Sequence, residues 1–132
     1  MARIAHAALD STAGYAAEIR MGRHHLTADE PAAIGGTDTG PAPFQLLLAG
    51  LAACTSITLR MYADRKGWTL GAVHVDLDFY KETDEAPSKI RRVVKFGAEL
   101  SAEQLARLAE IAEKTPVTKA LKSGVAIETT FA

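Results

Sequence analysis

The chain reads as an α+β protein, a mostly antiparallel sheet wrapped around one long central helix. Three observations lead there. Residues 40–67, GPAPFQLLLAGLAACTSITLRMYADRKG, hold an apolar run from Phe44 to Cys54 that only Gln45 interrupts. Leu70–Tyr80 and Ile90–Glu99 then alternate apolar and polar residues with the period of two that marks a strand. Two capped helical stretches follow, with apolar residues spaced three and four apart.

The central stretch opens with Pro41 and Pro43, which suit a helix start because the first turn leaves its N–H groups unpaired anyway. Gly67 is placed to cap its end. A helix that is apolar all round is buried on every side, and the apolar run is shorter than the roughly 20 residues a bilayer requires. A core helix is therefore expected, with no membrane partner.

Upstream, residues 2–28 read as strands, with Gly22 as the turn of a hairpin. His24 and His25 are adjacent, so on a strand they point to opposite faces and cannot share a metal. Residues 35–41, GGTDTGP, form a loop without the lysine or spacing of a phosphate-binding fingerprint; it lets the backbone turn into the helix. Downstream, Val73, Val75, Leu77 and Phe79 share one strand face, as do Val94, Phe96 and Ala98 on the next. Ser101 and Gln104 make a capping box for a helix over Leu100–Lys114. Thr115 and Pro116 start a short helix that Gly124 stops, and Val125–Phe131 alternates as a last strand.

The 132 residues, 48% of them hydrophobic, suit a single domain spanning 1–132 that needs no metal or disulfide staple. A lone cysteine excludes an intrachain disulfide and points to a reducing, cytoplasmic setting, and no secretory signal is read at the N-terminus. With 15 basic and 16 acidic residues, there is no electrostatic case for nucleic acid. No metal-ligand cluster is visible, and no cofactor is expected.

The long helix is apolar even in phases that one small sheet cannot cover, which calls for a second copy of the same helix and hence a homodimer. Cys54 is the one candidate nucleophile. In apolar surroundings it can be an inert core thiol. Thr55, Ser56 and Thr58 make the helix polar at that point and open the reading of a reactive thiol facing a cleft.

DEP at residues 29–31, the stretch GPAPFQLLLAGLAACTSITLRMYADRKGW and LSAEQLARLAEIAEKTPVTKAL together resemble the OsmC/Ohr family of bacterial stress proteins over nearly the whole chain. The resemblance implies an intertwined homodimer with two sites at its interface. It also implies a thiol peroxidase that reduces organic hydroperoxides, a role in peroxide detoxification and stress response. The family's peroxidatic cysteine falls on Cys54. Its supporting arginine falls on Arg20 or Arg23. The glutamate of the family pattern falls where Phe44 and Gln45 stand, and its second cysteine where Thr115 stands. Threonine keeps a helix cap but forms no disulfide. The expected function is thus reduction of organic hydroperoxides by a single cysteine, with an external thiol or dithiol as reductant. The alternative is a non-catalytic dimer that binds a small apolar molecule.

Overall fold

The computed structural model describes residues 2–132. They form two compact units, one ending at Leu47 and one running Leu48–Ala132. The first contains strands β1 (Ala8–Asp10), β2 (Ala17–Met21) and β3 (His24–Ala28) in an antiparallel sheet of order β1-β2-β3. Gly22, at φ 61°, supplies the positive φ that a two-residue hairpin loop demands at its first position. His24 and His25 are exposed on β3, and Arg20 on β2 pairs with Asp10 on β1.

The loop after β3 is organised by Asp29, which is buried. One carboxylate oxygen accepts from the Glu30 N–H at 2.7 Å. The other accepts from the N–H and hydroxyl of Thr37, at 3.1 and 2.6 Å, and from those of Thr39, at 3.1 and 2.8 Å. The loop that an anion could occupy therefore already holds one from its own chain. Gly36 and Gly40 permit this: a Cβ there would lie 1.9 Å from the Glu30 and Thr27 carbonyl oxygens respectively. A 3₁₀ turn at Ala32–Ile34 is an addition to the sequence reading.

Helix α1 (Pro43–Lys66) matches the expected central helix. The Gln45 side chain turns back to accept from the Ala42 N–H at 2.8 Å, satisfying one orphan donor. At the far end Gly67, at φ 70°, lets its N–H reach Asp64 O while the Trp68 N–H reaches Ala63 O. This pair of bonds is the Schellman closure. Within one chain α1 is covered on one face, by way of Leu51, Thr55, Leu59, Tyr62 and Ala63, while Ile57 and Met61 stay more than half exposed. One expectation for α1 is corrected: because the helix continues for twelve residues past the apolar run, it is long and apolar enough, by length and composition alone, to cross a membrane.

Strands β4 (Val73–Tyr80) and β5 (Lys89–Phe96) pair antiparallel. β4 starts three residues later than Leu70 because Gly71, at φ 67°, turns the backbone where a Cβ would lie 2.8 Å from the Ala98 nitrogen. Helix α2 (Ala102–Ala112) carries both bonds of the Ser101–Gln104 capping box. Helix α3 (Pro116–Ser123) begins at Thr115, whose Oγ1 accepts from the Thr118 N–H at 3.4 Å. The core of the second unit joins Leu59, Tyr62 and Ala63 of α1 to Leu70, Leu108 and Ala112, with Val73, Val94 and Phe96 packed against it. The expected strand at Val125–Phe131 does not form. Alternation alone makes no strand without a neighbour to pair with, and Val125, Ile127 and Phe131 stand 71%, 87% and 96% exposed.

Asp29→Asn is expected to lower the melting temperature by about 5 °C or more, because an amide presents a donor to groups that are all donors. The Thr37 hydroxyl first, then the Glu30 and Thr39 N–H groups and the Thr39 hydroxyl, hold the Asp29 carboxyl well below the usual carboxylate range against the opposing effect of burial. A depressed carboxyl contributes stability that is present above its unfolded pKa, about 4, and is lost as pH falls further. Circular dichroism melts between pH 3 and 7 should show a flatter acid decline in the variant. Thr115→Ala should cost about 1 kcal/mol in urea unfolding through the lost cap, and Thr115→Ser should restore most of it.

Candidate active site around Cys54

Cys54 sits partway along α1, between its covered and its open face, and is half-buried. Its Sγ lies 3.9 Å from Thr58 Oγ1, one turn further along, and either atom can donate. Gly50, Cys54, Ile57 and Met61 recur at spacings of four, three and four, so they share one stripe of the helix. A Cβ on Gly50 would meet nothing within 4 Å.

The next residue, Thr55, is fully buried and points into the unit. Its hydroxyl donates to Leu51 O at 2.7 Å and accepts from Arg92 Nη1 at 2.9 Å. Arg92 stands on β5 in the inward phase with Ile90, Val94 and Phe96. Its Nη1 also donates to Thr118 Oγ1 at 3.0 Å and its Nη2 to Ala112 O at 3.0 Å, with Glu113 at 3.8 Å. Thr118 Oγ1 in turn lies 2.6 Å from Thr115 Oγ1. Glu113 has a lowered pKa, first through its hydrogen bond with Lys122 and, more weakly, through the charges of Lys122 and Arg92.

Thr115, where the resemblance puts the second cysteine, is thus a buried threonine tied, through Thr118 and Arg92, to the residue beside Cys54. Sequence reading named Cys54 and Thr115 but missed Arg92. The signal was present: a charged residue at an inward position of an alternating strand. The other expected residues lie in the first unit. Arg20 is on β2, engaged with Asp10, and Arg23 is exposed in the β2–β3 turn. Phe44 is 61% exposed in the first turn of α1, and the Gln45 carbonyl is occupied by the Ala42 N–H. Among the described residues no group of three or more His, Cys, Asp or Glu side chains could hold a metal.

A concavity of the same unit, about 370 Å³, does not include Cys54. Tyr62 and Trp68 form its aromatic wall, edge to face at 5.6 Å. Arg107 donates to Tyr62 Oη at 2.8 Å and to Glu110 at 2.6 Å, so its cation is already engaged.

The model of the OsmC-like protein family matches residues 36–130. Several solved structures are similar to this one. The OsmC-like protein of Mycoplasma pneumoniae is 18% identical with a TM-score of 0.78, over 92% of this chain and 89% of that one. The organic hydroperoxide resistance protein OsmC of Legionella pneumophila is 22% identical with a TM-score of 0.65, over 91% and 90%. The organic hydroperoxide resistance protein OhrB of Bacillus subtilis is 26% identical with a TM-score of 0.63, over 91% of each chain. No curated protein sequence matches the chain. With its fold shared along nine-tenths of these structures and its family's pattern running through most of its length, the chain belongs to the OsmC-like family.

Proposed function

We propose that the protein reduces organic hydroperoxides with Cys54 as its single peroxidatic cysteine. The observation that carries this is the placement of its only thiol on the open stripe of α1, half-exposed and beside a hydroxyl. The names of the Bacillus subtilis and Legionella pneumophila relatives support the substrate class. In the reaction the Cys54 thiolate attacks the terminal peroxide oxygen. An S–O bond forms, the O–O bond breaks, and the alkoxide takes a proton and leaves as the alcohol. The sulfenic acid condenses with an external thiol, releasing water and forming a mixed disulfide. A second thiol, or the other arm of a dithiol, regenerates Cys54 and leaves as a disulfide. Thr115 cannot take part in that exchange, so the reductant must reach Cys54 from outside the chain.

The assembly in this reading is a cytoplasmic homodimer of single-domain chains in which α1 is a core helix. Gly50, Ile57 and Met61, exposed on α1, have the heptad spacing of a helix seam that passes beside Cys54. The extended tail at 125–131 has apolar alternation and no strand beside it. Both features suit a second copy.

Two outcomes test this reading. Stopped-flow mixing of reduced protein with cumene hydroperoxide, followed by intact mass, should add one oxygen at Cys54 within seconds and lose it on adding a dithiol. Cys54→Ser should abolish the gain, whereas an unmodified wild-type mass after minutes refutes the peroxidase. In sedimentation velocity the protein should run as a dimer, and Met61→Glu should shift it toward the monomer by placing a charge in the seam.

A further inference from the structure

Arg92 has no part in the chemistry above, yet it is the most constrained cation of the second unit. Its side chain is 13% exposed. One guanidinium binds Thr55 on α1, Thr118 on α3 and the carbonyl of Ala112 at the end of α2. The Thr55 hydroxyl that receives it is itself fixed to Leu51 O, one turn back. The bond therefore locks the helical turn in which Cys54 stands. On the other side, Thr118 passes the connection to Thr115, which is fully buried.

We infer that Arg92 is a positioning residue for Cys54, a hydrogen-bonded clasp that couples the first turn of α3 to the Cys54 turn of α1. The argument is one of geometry and of alternatives. A planar fork of donors can bridge two hydroxyls and a carbonyl at once, which a lysine ammonium at the same place cannot reproduce. Its partners at 2.9–3.0 Å come from three different helices, so none can shift without leaving a buried donor or acceptor unpaired. A disulfide joining the same two helices would form and break in each redox cycle. The clasp holds no redox-active atom and stays closed whether Cys54 is thiol or sulfenic acid. The first turn of α3 is then a fixed wall of the site rather than a moving arm.

The inference rests on the reading of Cys54 as the reacting thiol, and two readouts separate the two. Thr118→Val removes one acceptor of the clasp and leaves Cys54, Thr55 and Arg92 in place. Arg92→Lys keeps the charge and removes the fork. Hydrogen exchange is expected to show at least tenfold loss of protection in Thr118→Val at the amides of residues 55–59, across the guanidinium from the substitution, with residues 73–80 unchanged. Both variants should oxidise at Cys54 at least fivefold more slowly with cumene hydroperoxide. Alkylation by iodoacetamide, which is less demanding of orientation, should change less than twofold. If wild-type protein is inert to hydroperoxide, the peroxidase reading falls while the exchange result still judges the clasp. Unchanged protection at residues 55–59 in folded Thr118→Val overturns the clasp. Wild-type oxidation rates in folded Thr118→Val and Arg92→Lys, in a protein that does react, overturn the positioning role.

Discussion

A guanidinium taken out of water must find partners for its donors, and in this protein that demand shapes the whole second unit. Arg92 stands on a strand whose neighbouring inward residues are Ile90, Val94 and Phe96. Burying a cation among such side chains costs several kcal/mol unless it is both paired and hydrogen-bonded. The chain meets the requirement with groups that other parts of the fold leave over. A helix end has unpaired carbonyls, and Ala112 offers one. A helix start needs a capping hydroxyl, and Thr115 places one beside Thr118. A threonine inside a helix can turn its own donor back onto the preceding turn, as Thr55 does, freeing its lone pairs to accept. The long helix, the end of the second helix and the start of the third are therefore anchored to one cation, and the apolar cluster around Leu59 and Leu108 closes beside it.

The first unit solves the mirror problem with a buried anion. Asp29 gathers the amides and hydroxyls of Thr37 and Thr39. The two glycines that flank these threonines let the backbone pass within a distance no side chain could tolerate. A loop rich in glycine and threonine looks in sequence like a cradle for a bound anion. Here the chain provides the anion itself, and the carboxylate fixes the approach to Pro43, where the central helix starts.

Much of this was legible from the sequence, because each legible part is governed by local chemistry. Pro43 and Gly67 bracket a helix by the backbone geometry they permit, and Ser101 with Gln104, like Thr115 with Pro116, mark starts whose hydrogen bonds close within four residues. The alternation of Val73, Val75, Leu77 and Phe79 carries its own register. What escaped depends on partners distant in sequence. Arg92 contacts Thr55, 37 residues earlier, and nothing around it in the chain announces that hydroxyl. The tail at 125–131 shows the converse failure: its alternation is as clean as that of β4, but a strand exists only with a neighbour. Asp29 lay inside a recognisable motif, yet its five acceptor bonds follow from the folded loop and not from the motif's letters.

The position of Cys54 follows from these constraints taken together. Successive residues on a helix point about 100° apart, so fixing Thr55 inward toward Arg92 turns Cys54 away from the core and onto the edge of the open stripe. Cys54 is half-buried there, unlike Tyr62 and Ala63, adjacent residues that the same helix buries together. The arrangement also separates two duties that one residue pair would share in a disulfide cycle. Holding α1 to α3 falls to a guanidinium and three hydroxyls, and the sulfur takes no part in it.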